Sequence, residues 1–149
     1  MPAIFAKHGL QFAYPENWTL DERELEDGWS VAVQSPSPGT AFLLLSVHPG
    51  RPAVQEVLDA TVRALREDYV ELDASPAEEQ IAGRCARGLN IQFISLDLVN
   101  NCWIRSFRTK QETVLIMCQV SDIEADLAEP VMRAMRASIQ LASRSSAGG

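Results

Sequence analysis

The sequence is poor in the residues that most reactions need. Its 149 residues include two histidines and three cysteines. A zinc site or a Ser–His–Asp triad needs partners gathered around a histidine. His8 instead stands beside Gly9, and His48 precedes Pro49, with no H-x-x-x-H, C-x-x-C or G-x-S-x-G spacing anywhere. Both histidines read as turn and surface residues. Cys85, Cys102 and Cys118 are odd in number, widely spaced and set in strand-like apolar surroundings. They read as small buried thiols, ahead of a disulfide or a metal site. The glycines make neither G-x-x-x-x-G-K-[ST] nor G-x-G-x-x-G, so no phosphate loop is spelled out. Gly83 and Gly88 bracket Arg84, Cys85 and Arg87. That pair of arginines reads as a solvated hairpin turn before it reads as an anion site. No catalytic residue, cofactor site or metal site is therefore expected.

Basic charge is scarce as well. Thirteen Lys and Arg stand against twenty Asp and Glu, a net charge of −7. Phosphate-backbone binding relies on clustered Lys and Arg, so nucleic acid is not an expected partner. The balance favours a basic partner instead. No apolar run approaches the roughly 18 residues of a membrane span, and membrane insertion is not expected. The opening Met-Pro-Ala-Ile-Phe-Ala-Lys-His-Gly lacks the charged segment, apolar core and cleavage site of a secretory signal. A cytoplasmic location follows as the expectation. With 46% hydrophobic and 22% charged residues, composition gives no case for disorder.

What is present is a succession of strands and two helices. The organising stretch is Arg84 to Val120, read as three antiparallel strands with polar turns near Asn100-Asn101 and Lys110-Gln111. Val114 to Cys118 is apolar at every position. A strand buried on one face would alternate, so this one is expected at the centre of a sheet, covered on both faces. Leu89, Ile91 and Phe93 are apolar in one phase and Ile94, Leu96 and Leu98 in the other. A bulge near Phe93-Ile94, or burial on both faces, would explain the change.

Earlier in the chain, Leu10, Phe12 and Tyr14 alternate as a strand does, and Pro15 ends the run. Asp27-Gly28 marks a turn before a strand over residues 29–35. Ala41 to Val47 is a second continuous apolar strand. Pro52 suits a first helical turn, and Val54, Leu58, Thr61, Leu65 and Tyr69 follow at helical spacing, giving a helix over residues 52–69. Val70 to Pro76 reads as mixed strand and loop, and Glu78 to Gly83 as a short strand. Ser121-Asp-Ile-Glu124 matches a capping box. Ile123, Leu127, Val131 and Met135 recur behind it, but Pro130 interrupts. A proline inside a helix costs about 3 kcal/mol, so the main helix is expected from Glu129 to Ile139.

Two clusters have alternative readings. Asp21, Glu22, Glu24, Glu26 and Asp27 lack the order of a calcium loop and read as a solvated edge that discourages strand aggregation. Trp103, Arg105 and Phe107 share one strand face at period two. Trp and Arg dominate interface energetics, so an uncovered face here would be a docking surface. Under a helix, Trp103 and Phe107 would be core, and Arg105 would pair with an acid at its margin.

Gly9-Leu-Gln-Phe12-Ala-Tyr14-Pro15-Glu-Asn-Trp18 resembles the opening of the PsbP-like superfamily, an apolar strand followed by Y-P and a Trp. Ile81-Ala-Gly83 before the long strands and the late Ser138-Ile139 pair are similar to that pattern too. The superfamily takes in extrinsic photosystem II subunits, a Ran-binding Mog-type transport factor, DcrB-like lipoproteins and secretion-effector chaperones. The resemblance implies an antiparallel sheet flanked by helices, and it supplies no shared catalytic site. No lipoprotein cysteine stands near the start of this chain, unlike the DcrB-type members.

The expected class is thus α+β: a PsbP-like α/β/α sandwich, its antiparallel sheet of about six to seven strands flanked by two main helices. Residues 1–141 are expected to form one domain and 142–149 a flexible tail. The expected role is non-enzymatic binding of a protein partner or a second copy, as an adaptor or chaperone. The alternative is a small-molecule binder or small enzyme with a pocket between sheet and helix, drawing on Arg84, Arg87, Arg105 and His48.

Overall fold

A computed structural model describes residues 2–142. Two hairpins open the chain, β1 (Pro2–Lys7) with β2 (Leu10–Pro15), then β3 (Thr19–Leu25) with β4 (Gly28–Gln34). β5 (Phe42–His48) leads into α1 (Val54–Asp68). Four long strands fill the middle: β6 (Leu72–Ile81), β7 (Arg84–Ser95), β8 (Leu98–Arg108) and β9 (Thr113–Ser121). α2 (Ala125–Ala137) and the two-residue β10 (Gln140–Leu141) follow.

Seven strands form the principal antiparallel sheet, in the order β3-β4-β5-β9-β8-β7-β6. β9 is its middle strand, as its unbroken apolar run requires. Val114, Ile116 and Cys118 enter one core, while Leu115 and Met117 join the other. α1 closes the second core over Ile91, Phe93, Cys102 and Ile104, with Leu58 as its buried anchor. The first core lies under α2 and a separate three-stranded sheet, β1-β2-β10. Phe5, Phe12, Val31, Leu43 and Leu45 meet Met132 and Met135 there. The architecture is the expected α+β sandwich. The small sheet is an addition, because β10 is too short to leave a periodic signal.

Several boundaries differ from the sequence reading. The β7–β8 turn falls at Leu96-Asp97, both at positive φ, rather than at Asn100-Asn101. The two asparagines lie inside β8, where Asn101 accepts from the Gln92 amide and donates to Asp122. Cross-strand partners outweigh the turn preference of Asn. No bulge interrupts β7, since its register runs unbroken from Arg87↔Ser106 to Ser95↔Leu98. Nor are both faces buried at that end. Ile94 and Leu96 are 69% and 93% exposed, which accounts for the change of phase.

β6 is one ten-residue strand through Pro76. It is an edge strand, where a missing amide costs no ladder bond. Pro130 likewise does not divide the last helix. α2 is continuous, held down by buried Ala128, Met132 and Met135. The stripe anticipated through Ile123 and Leu127 faces outward. Ser121 and Glu124 form no capping box, because α2 starts without a side-chain cap. Cys85 is exposed, and the other two cysteines are buried. The expected tail lies outside the described residues except for Ala142, whose amide donates to the Gly9 carbonyl at 2.7 Å.

Candidate functional site

Period two puts Trp103, Arg105 and Phe107 on one face of β8, and that face is the one under α2. Phe107 and Arg105 are buried, and Trp103 is half-buried against the same core. The three therefore form an interior row. Opposite Arg105 stands Gly88 on β7. A Cβ at Gly88 would run into the backbone carbonyl of Ile104, so the strands close tightly here. Across the bare stretch of β7, Arg105 Nε donates to Glu79 Oε1 on β6 at 3.0 Å. Its other donors reach Asn90 Oδ1 at 2.8 Å and the carbonyls of Leu89 and Ile104.

The second carboxylate oxygen of Glu79 is taken from the opposite side. Arg136, in the last turn of α2, donates from Nε to Glu79 Oε2 at 2.8 Å. Arg136 is 5% exposed, and its Nη1 approaches Cys118 Sγ at 3.5 Å. One carboxylate thus clasps two guanidinium groups and ties the helix to the edge strand. Burial by itself would raise the Glu79 carboxyl. The hydrogen bonds and charges of Arg136, then of Arg105, outweigh it and hold the group below the usual carboxylate range. Burial pushes the Cys102 thiol up to about 12, and drives Cys118 upward as well. A carboxylate held ionised with both oxygens engaged is a poor general base, and a thiol held protonated is a poor nucleophile. This chemistry is that of a fastener.

Sequence reasoning found Arg105 and missed its partners. Glu79 and Arg136 are 57 residues apart and share no motif. The available signal was positional: Arg136 follows Met132 at helical spacing, so a charge stands on the buried stripe of α2. Glu124 was noticed for the wrong bond. Its carboxylate accepts the amides of Thr40 and Ala41 at 2.7 and 3.0 Å and the Ser35 hydroxyl at 2.9 Å, fastening the β4–β5 loop to the start of α2.

The remaining candidates are scattered. Arg87 bonds Gln55 on α1, and His48 lies 3.3 Å from the Ser46 hydroxyl beside a groove along that helix. Arg84 lines a separate cavity of about 180 Å³ with His8, Trp29 and Lys110, floored by Leu10, Val47 and Val114. The His8 ring packs on Trp29 at 4.8 Å. Among the described residues, no group of three or more His, Cys, Asp or Glu is placed to hold a metal ion. No helix among them is long and apolar enough to cross a membrane.

The acidic stretch runs along β3 and into its turn with β4 at Glu26-Asp27; among the described residues β3 is an edge strand of the principal sheet, paired on one side alone, with β4. Residues 21–27 are all exposed. Asp21 pairs with Arg23, and Glu22 pairs with Lys7. Glu24, Glu26 and Asp27 make no ion pair with another described residue.

A seven-stranded antiparallel sheet with a helix on each face and an added small sheet defines the PsbP-like fold. Cyanobacterial PsbP (CyanoP) from Synechocystis shares it with a TM-score of 0.68 and 10% identity, over 94% of this chain and 92% of that one. Mog1, solved as a point mutant, matches with a TM-score of 0.62 and 10% identity over 98% of each chain. LpqN of Mycobacterium tuberculosis, described as involved in cell envelope biogenesis, matches with a TM-score of 0.59 and 11% identity, over 95% of this chain and 90% of its own. At such identities the likeness is one of fold. No family model matches the sequence. No curated protein matches it either.

Proposed function

We propose that this chain is a non-enzymatic, cytoplasmic protein-binding domain that recruits a basic partner through the β3 edge. The observation that carries the reading is the edge itself. Among the described residues its outward backbone donors and acceptors have no strand beside them, and Glu24 on the edge with Glu26 and Asp27 in the turn that follows present three carboxylates that pair with no described cation. Such an edge repels its own copy, since like charges would face each other. An extended segment rich in Lys or Arg would gain both ladder bonds and charge pairing. The strongest buried polar cluster is fully occupied in holding α2 to β6, which leaves the surface to carry function. The superfamily resemblance, which brings no shared catalytic site, points the same way.

The test compares the wild-type chain with a Glu22→Gln, Glu24→Gln, Glu26→Gln variant as baits in extract of the source cell. The expected result is one basic partner retained by wild type, released by salt and lost with the variant. Equal recovery by both baits, or none by either, would refute the reading.

One observation favours a second reading, a small-molecule binder. The cavity beside Trp29 combines apolar residues with Arg84 and Lys110 against one acid, Glu112, a lining with a surplus of positive charge that suits a small carboxylate. Calorimetric titration with benzoate tests it. Heat that vanishes in an Arg84→Ala, Lys110→Ala variant would support this reading, and no heat with wild type would remove it.

A further inference from the structure

Seven large apolar side chains among the described residues face solvent, and five of them, Val70, Ile94, Leu96, Ile123 and Leu127, gather at one end of the sheet. The topology puts them together. α1 ends there, so Val70 lies beside the start of β6 and lines a groove of about 670 Å³ with Ile94 and Val99. Leu96 is the tip of the β7–β8 hairpin. The Val99 carbonyl accepts the Asp122 amide at 2.9 Å, which sets the start of α2 against the same hairpin. Ile123 follows at once, and Leu127 stands one helical turn further on. Exposures of 69–93% leave all five of these large apolar side chains in water at the same end of the sheet.

The charges around these side chains are mostly acidic. Asp68, Glu71 and Asp73 line the groove, and Arg66 is the one base there. Asp97 shares the hairpin tip with Leu96, while Asp122 and Asp126 flank Ile123. A second copy would bring six carboxylates against six. An anionic bilayer would be repelled for the same reason. The occupant that satisfies both features carries apolar side chains on one side and Lys or Arg beside them.

We propose that this end of the sheet docks a basic amphipathic helical segment of another protein. The inference deepens the protein-binding reading but stands on residues remote from the β3 edge. Apolar anchors at i, i+3, i+4 and i+7 would lie along Ile94, Ile123 and Leu127, with flanking Lys or Arg meeting the carboxylates.

The probe is a labelled peptide of about 18 residues, leucine at helical spacing and lysine elsewhere, titrated into the full chain by fluorescence anisotropy. A version with glutamate in place of lysine is the control. Wild type is expected to bind the lysine peptide, more weakly as salt rises, and to ignore the glutamate peptide. Ile123→Ser with Leu127→Ser, and separately Ile94→Ser with Leu96→Ser, are each expected to weaken binding about tenfold or more. All four side chains are exposed, so circular dichroism is expected to be unchanged. No binding by wild type, equal binding of both peptides, or unaltered affinity in both double variants would overturn the inference. Loss of peptide binding in the β3 glutamine variant instead would also overturn it, while leaving the edge reading intact. Self-association abolished by Ile123→Ser, or uptake by phosphatidylserine vesicles, would give the surface to a different occupant and equally overturn it.

Discussion

Replacing Glu79 with Ala tests the buried clasp. The side chains of Arg105 and Arg136 are 5% and 7% exposed, against 23% for Glu79. Removing one partner of a buried ion pair costs about 3–5 kcal/mol, because it strands a charge away from water. The two arginines are not stranded equally. Arg105 keeps Asn90 and two backbone carbonyls, whereas the other bond from Arg136 goes to the Cys118 sulfur, a weak acceptor. Most of the loss therefore falls on Arg136. Adding Arg136→Met to Glu79→Ala removes the stranded charge and is expected to recover about half of it; adding Arg105→Met is expected to recover less. Equilibrium unfolding in urea, followed by tryptophan fluorescence, reads the change as a lower midpoint at unchanged slope. A Glu79→Ala loss below about 1 kcal/mol, the range of an exposed pair, would refute the account. So would larger recovery with Arg105→Met than with Arg136→Met.

Other consequences follow from the same structure. Because Glu79 titrates below its ordinary value of 4.5, the unfolded chain takes up its proton first as pH falls. The stabilisation from Glu79 is fully present above that value and is lost as pH drops through the folded-state value. Urea midpoints measured across this acid range should fall more steeply for wild type than for Glu79→Gln. Glu124→Ala leaves the Thr40 amide without its acceptor and should cost about 1–3 kcal/mol, with faster proteolytic cleavage in the loop of residues 36–40. Of the three thiols, Cys85 alone is exposed, so native protein should take up a single maleimide by mass spectrometry and the denatured chain three. Two or more labels on the native chain would contradict the burial of Cys102 and Cys118.

The fold was legible wherever burial imposes a period. Val114–Cys118 carries its central position in its own composition, and the face of α1 is written at helical spacing. Reading failed where tertiary partners overrule a local preference. Asn100 and Asn101 carry the signature of a turn, yet occupy a strand because neighbours on both sides accept and donate to their side chains or backbones. Pro130 carries the signature of a break, yet the packing of Met132 and Met135 keeps α2 whole. Ile123 and Leu127 continue the helical period and still point to water, since periodicity reports a face without saying what covers it. Of the interior cluster, Arg105 was visible through its aromatic neighbours. Glu79 and Arg136 were not, because a contact between β6 and α2 leaves no spacing in the chain.

The three-stranded sheet has a consequence for how this protein is made. β2 is flanked by β1, which arrives at once, and by β10, which arrives last: the Gln11 and Gln140 side chains that bond each other are 129 residues apart. Ser138 also accepts the Ala13 amide at 2.9 Å. At about 5–20 residues per second, the opening hairpin must wait on the order of ten seconds on the ribosome before its second neighbour is synthesised. Until then Phe5, Leu10 and Phe12 have no complete lid, and the nascent chain offers a greasy flap to whatever waits at the exit tunnel.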